Sequence, residues 1–233
     1  MPVAAAPTLA VERGLMAQGH RFVAGADEVG RGALAGPVSV GMVVIDASAQ
    51  KPLPGVKDSK LLSAEARENL VPKIEAWAVG HAVGHASAAE IDALGLMSAL
   101  RLAGTRAWAA LLAAGVRAEV VILDGNHDWL SASQLSIFDA PGTLDDGVDV
   151  PVRTLVKADM RCLSVAAASV LAKVQRDAML VALDAEFPDF GWKINKGYAT
   201  AGHRAAIDRS GPSEWHRRTW QLGSKASPAV DRA

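Results

Sequence analysis

Cysteine is nearly missing from this chain. Cys162 is the only one in 233 residues, so no internal disulfide can form and cysteine-rich zinc sites are excluded. A reducing compartment, the cytoplasm, fits that usage. Long apolar runs are also missing: no stretch approaches the ~18–20 residues that a membrane span needs. Met1 to Ala10 is rich in Ala and Pro but has neither a basic start nor a long apolar centre, so it does not read as an export signal. Aromatics make up 5% of residues, with Tyr198 the sole tyrosine, and the six tryptophans are scattered in the manner of packing residues. Net charge is −1, so no overall field marks the chain as a binder of nucleic acid.

Half of the residues are apolar, enough for a substantial core in one sizeable domain. The charge is unevenly spread. Lys193, Lys196, Arg204, Arg209, Arg217 and Arg218 make the C-terminal quarter basic, whereas Asp128, Asp139, Asp145, Asp146 and Asp149 make a middle segment acidic. That segment, 127–151, has no strong periodicity and is longer than most loops of compact domains.

Short apolar runs bounded by Gly or Asn read as buried strands. One spans about Arg21 to Asp27, a second Pro37 to Ile45, and others Val79 to Ser87, Val120 to Leu123 and Val152 to Val156. Helices are expected from Ser63, a plausible N-cap, to about Trp77, over the Ala/Leu-rich Ala88 to Ala114, over Leu163 to Phe187, and over Ala201 to Ser210. The pattern is α/β: a mixed sheet flanked by helices. Residues 1–19 read as a flexible lead and 223–233 as a disordered tail.

Asp27 and Glu28 close the first run, and Asp124 closes Val120-Val121-Ile122-Leu123. Strand ends are where open α/β sheets place ligand sites. If these strands are neighbours, three carboxylates converge and repel, at roughly 4 kcal/mol per pair 4 Å apart in a partly shielded site. A hard divalent cation of the magnesium or manganese kind relieves such crowding. Each piece has a plainer reading: Asp27-Glu28 as a solvated turn, Asp124-Gly125-Asn126 as a capped turn, and Asp159 as a helix cap. His81 and His85 have helical metal-ligand spacing but fall in a strand, which argues against a metal role. His127 follows Asp124 closely enough to neighbour a site there.

Several strings are more specific than this. Ala26-Asp27-Glu28-Val29-Gly30-Arg31-Gly32 with Ala35-Gly36-Pro37-Val38, then Lys57-Asp58-Ser59-Lys60-Leu61-Leu62-Ser63 and Leu123-Asp124-Gly125-Asn126, are followed by Lys157-Ala158-Asp159. Ala166 to Asp177, Asn195-Lys196-Gly197-Tyr198 and Gly211-Pro212 with His216-Arg217 complete the series. Together, in this order, they resemble the prokaryotic type 2 ribonuclease H family. The type 3 family has Lys where this chain has Arg31.

The resemblance implies a ribonuclease-H-like mixed five-stranded sheet flanked by helices, as a catalytic domain over 20–190. It implies a C-terminal helical substrate-binding part over 191–222. Asp27, Glu28, Asp124 and Asp159 match the family's catalytic, metal-holding acids, with Mn2+ or Mg2+, two ions per site, as cofactor. Gly30, Arg31 and Gly32 would contact the ribose 2′-hydroxyl, the group that distinguishes RNA from DNA. Tyr198 would stack on the sugar beside the ribonucleotide, with Lys60, Asn126 and Lys196 as further substrate contacts, and Arg217 and Arg218 as candidates for phosphate. The implied substrates are RNA–DNA hybrids and duplex DNA with embedded ribonucleotides, cut by a monomer to leave 5′-phosphates. A junction resolvase of similar fold and a hybrid-binding protein without turnover are the competing readings.

Overall fold

A computed structural model describes residues 6–132 and 147–224. Five strands form one sheet: β1 (Phe22–Val29), β2 (Val38–Asp46), β3 (Gly80–Ala86), β4 (Val120–Asp124) and β5 (Val152–Leu155). Their order is β3-β2-β1-β4-β5. β1 runs antiparallel to β2 and parallel to β4, so the sheet is mixed, as expected.

Alternation along the strands sorts the core. Val23, Val43, Ile45 and Ile122 face α5 (Leu163–Asp184), while Ala24, Met42, Val44 and Leu123 face α4 (Leu96–Ala113). Helix α5 lies unusually close to β1 and β2. A Cβ on Gly25 would stand 2.4 Å from the Ser164 carbonyl carbon, and one on Gly41 would stand 2.4 Å from the Ala168 oxygen. Glycine at these two positions is what lets the helix settle onto the sheet.

The helix starts follow local chemistry. The Ser63 hydroxyl accepts from the Ala66 N–H and opens α2 (Ala64–Trp77), which absorbs Pro72. The expected long helix from Ala88 is two: α3 (Ala88–Leu94), opened by a capping box of Ser87 and Glu90, and α4, parted at Gly95 with φ 79°. Asp159 does not cap α5. The cap residue is Cys162, which makes no side-chain cap bond, while Asp159 sits in a 3-10 turn at Ala158–Met160.

The lead departs from expectation. Ala10–Met16 form α1, which buries Leu9, Leu15 and Glu12 against the sheet and α5. The Glu12 carboxylate accepts from the Ser164 N–H at 3.0 Å and its hydroxyl at 2.8 Å, satisfying the first turn of α5. Apolar residues too few to show periodicity were enough to anchor it.

In the acidic segment, the described ends are held down. Asp128 accepts from Leu130 and Ser131 N–H, Trp129 and Leu130 are buried, and Asp149 accepts from the Trp108 indole. The remainder, 133–146, and the tail from 225 onward lie outside the described residues.

Packed on α5, α6 (Trp192–Asn195) and, after it, α7 (Ala201–Ser210) enclose a small core of Leu34, Phe190, Trp192, Ala206 and Ile207. Among the described residues, no helix is long and apolar enough to cross a membrane.

Candidate active site

Parallel pairing of β1 with β4 matches Ala26 to Leu123, so the next step along each strand brings Asp27 and Asp124 alongside. By alternation both belong to the face that α5 covers, and Glu28 to the other. Asp27 and Glu28 are not at a strand tail. β1 continues to Val29 because β2 extends the ladder, with Asp27 opposite Gly41 and Glu28 opposite Val40. The fourth acid arrives by a different route. The Asp124 carboxylate accepts from the Ala158 N–H at 2.6 Å, which draws the 3-10 turn carrying Asp159 to the end of β4.

Electrostatically the group is crowded. Burial first, and then the charges of Glu28 and Asp124, push the Asp27 carboxyl well above its ordinary range. Burial also raises Glu28, against the pull of Arg31, whose guanidinium is 3.3 Å away. Asp159 is pushed up to about 6 by burial and by Asp124 and Asp58. Lys60 answers from a 3-10 turn at Ser59–Leu61, its ammonium 3.8 Å from Asp159 and 3.9 Å from Asp58. Its own affinity for a proton is raised: burial works against the charge, but Asp27, Asp58, Asp159 and Asp124 outweigh it.

One oxygen of each inner acid is committed and the other is not. Asp27 Oδ1 accepts from the Glu28 N–H at 2.9 Å, and Glu28 Oε1 from Arg31. Asp27 Oδ2 and Glu28 Oε2 are buried without a hydrogen-bond partner. Unpaired buried carboxylate oxygens are costly and call for an explanation. Among the described residues no three acids are yet gathered at ligating distance. Still, an all-oxygen donor set with two orphaned oxygens fits a hard divalent cation.

A groove of about 410 Å³ opens beside them, lined by Asp27 and Glu28, Gly30-Arg31-Gly32, Lys60 and Tyr198, with Ser59 and Lys173. Tyr198 is 36% exposed, and its ring lies 5.5 Å from the Arg176 guanidinium and 5.7 Å from the Lys173 ammonium. Two expected contacts fall elsewhere. Asn126 is exposed on the turn after β4, outside the groove lining, and Lys196 lines a neighbouring groove with Arg67 and Lys173.

Arg217 is not a surface base for phosphate. Fully buried, it donates to the carbonyls of Gly30 at 2.6 Å and Arg31 at 2.9 Å. Arg176, part of the Ala166 to Asp177 string but given no role from it, is equally buried and donates to Pro37, Ala35 and Lys196 carbonyls. These two arginines hold the glycine loop from behind. Nothing local distinguishes a buried arginine from a surface one. His81 and His85 line a strand, where His85 Nδ1 pairs with the Ser39 hydroxyl at 2.7 Å. His127 stays exposed and Cys162 is buried among apolar residues.

A family model described as Ribonuclease HII matches residues 24–223. The chain belongs to the ribonuclease HII family. A Ribonuclease HII of Streptomyces avermitilis is 46% identical over 215 residues, covering 92% of this chain and 83% of that protein. Among solved structures, the ribonuclease H2 of Pyrococcus horikoshii OT3 superposes with a TM-score of 0.65 at 28% identity, covering 86% of this chain and 94% of its own. Bst-RNase HIII in complex with Mn2+ shares the fold at a TM-score of 0.59 and 23% identity, covering 82% of this chain and 63% of its own. As a ribonuclease HII family member the chain is a ribonuclease H, a metal-dependent endonuclease that cleaves RNA–DNA hybrids. A junction resolvase and a binding protein without turnover are thereby set aside.

Proposed function

We propose that the chain also nicks duplex DNA on the 5′ side of an embedded ribonucleotide, and that Asp27, Glu28, Asp124 and Asp159 hold two divalent ions, Mg2+ or Mn2+, for this hydrolysis. Bound there, such ions supply an activated water and neutralise charge on the phosphoryl and leaving oxygens. The products are a 5′-phosphate and a 3′-hydroxyl. The observation that carries the reading is the groove itself. It joins Asp27 and Glu28, the Gly30-Arg31-Gly32 loop and Tyr198 on one surface.

The chain's own residues divide the remaining work. With the Gly30 and Arg31 carbonyls taken by Arg217, the loop offers its peptide N–H groups, which suit a ribose 2′-hydroxyl. Glycine at 30 and 32 keeps the backbone close to the sugar. Tyr198 supplies a flat face for the neighbouring sugar. Lys60 holds the adjacent phosphate and releases Asp159 as it does so. A monomer in the cytoplasm, serving ribonucleotide removal in DNA repair and replication, completes the reading.

The test is a duplex with one ribonucleotide, compared with an all-DNA duplex of the same sequence. A divalent-ion-dependent nick 5′ of the ribonucleotide, absent from the control, is the expected result. Cleavage of both duplexes, or of neither, overturns the proposal.

A further inference from the structure

Two histidines are buried behind the Tyr198 peptide, outside the groove lining. His203, on α7, and His216, in the segment after it, are each 1% exposed. Their Nε2 atoms lie 3.0 Å apart. The remaining partners fix where the protons are. His203 Nδ1 lies 2.9 Å from the Tyr198 carbonyl, which can only accept, so this nitrogen carries hydrogen. The Ser213 N–H, which can only donate, points at His216 Nδ1 from 3.0 Å, so that nitrogen is bare. The Trp192 indole N–H donates to His203 Nε2 at 3.1 Å, so that nitrogen is bare too. A neutral His216 then carries its hydrogen on Nε2 and donates to His203. One directed chain results: Ser213 N–H to His216, His216 to His203, His203 to the Tyr198 carbonyl.

What this chain connects gives it a purpose. The backbone around His216 is tied to the strand segment behind the glycine loop. Ala35 and His216 form a β-bridge, the Gly36 N–H donates to the Trp215 carbonyl at 2.8 Å, and the Arg217 N–H to the Leu34 carbonyl at 2.9 Å. At its other end the chain grips the peptide of the residue that completes the groove wall. Phe190 and Trp192 pack around both imidazoles, with ring centroids 4.6 Å and 5.4 Å from His216, so neither ring can turn away.

We propose that His203 and His216 are positioning residues for ribonucleotide recognition, a neutral hydrogen-bonded pair that sets the Tyr198 ring at a fixed distance from the Gly30-Arg31-Gly32 loop. The proposal rests on the reading of Tyr198 as the residue that meets the sugar beside the ribonucleotide. Both imidazoles must be neutral for the chain to run. A proton added to His203 Nε2 would face two N–H donors, and one added to His216 Nδ1 would face the Ser213 N–H. The charged groups bearing on them are cationic, Arg204 on α7 beside His203 and Arg218 beside His216, and burial lowers both proton affinities, that of His216 to about 4.

The experiment compares kcat/KM on a duplex with a single ribonucleotide and on a continuous RNA–DNA hybrid. The proteins are the full-length wild type, His203→Leu, His203→Asn, Tyr198→Ala, and Tyr198→Ala with His203→Leu. In His203→Asn the side-chain amide can still donate to the Tyr198 carbonyl. His203→Leu is expected to lower the single-ribonucleotide value relative to the hybrid value by about tenfold, the scale of a misplacement of well under 1 Å. His203→Asn is expected to recover most of that ratio, and the double variant to match Tyr198→Ala alone. Equal losses on both substrates in His203→Leu, or a double variant whose ratio falls below that of Tyr198→Ala, would overturn the positioning role. An unchanged ratio in Tyr198→Ala would overturn the tyrosine reading and the positioning role with it. A changed ratio in Tyr198→Ala beside an unchanged one in His203→Leu would overturn the positioning role alone.

Discussion

Asp27 carries a conflict that the fold tolerates. It is buried, flanked by like charge, and one of its oxygens has no partner. A neutral isostere relieves that conflict, so Asp27→Asn is expected to stabilise the metal-free protein by about 1–2 kcal/mol while abolishing cleavage. Thermal melts in chelator, set beside the nicking assay, check both halves. The pH dependence has a definite sign. Asp159 is raised to about 6 in the folded chain and Asp27 well above its ordinary range, so these two acids bind more protons in the folded state than in the unfolded one. Their contribution to metal-free stability therefore falls as pH rises from the ordinary carboxylate range through 6, opposite in sign to that of the buried neutral His203 and His216, and affinity for divalent ions climbs over the same window. Melts across pH 4–8, an interval set by ordinary carboxylate values, would show superimposable profiles for the wild type and Asp159→Asn if that acid were unperturbed. Gly30 has φ 85°, and a Cβ there would meet Arg176 Nε at 2.1 Å. Gly30→Ala is thus expected to cost about 2–4 kcal/mol by denaturant titration and to unseat the recognition loop. Asp27 was legible from its place at the end of an apolar run, Asp159 only through the family resemblance. The arginines beneath the loop were not, because their partners are backbone carbonyls contributed by Gly30, Ala35 and Pro37.

Elements were the most legible scale. Strand identities, the Ser63 cap and the span of α7 follow from apolar period, capping chemistry and glycine stops, all of which act within a few residues. What escaped depended on remote partners. β1 outlasts its apolar run because β2 keeps pairing with it beyond Ala26. α1 exists because its Leu9 and Leu15 find the sheet and because Glu12 serves the start of α5. That last contact makes a prediction. Glu12→Ala leaves the buried Ser164 N–H without its acceptor and is expected to cost about 1–3 kcal/mol, whereas Glu12→Gln keeps the acceptor and is expected to cost less than about 1 kcal/mol. Equal denaturation midpoints for the two variants would show that the carboxylate does not cap the helix.

For the whole molecule, a net charge of −1 conceals a groove that sets Arg31, Lys60 and Lys173 beside Asp27 and Glu28. Lys60, 71% exposed in its side chain, stands at the mouth of the acidic pocket. Duplex affinity is expected to fall linearly with salt on logarithmic axes, and Lys60→Ala to reduce that slope by about 0.9 if the lysine neutralises one phosphate. An unchanged slope would remove Lys60 from the binding surface. The central claim is that four acids from β1, β4 and the Ala158–Met160 turn share divalent ions. Anomalous diffraction from crystals soaked in Mn2+ tests it most directly. Peaks bounded by Asp27, Glu28, Asp124 and Asp159 are the predicted result. Manganese bound elsewhere, with those carboxylates bare, would contradict it.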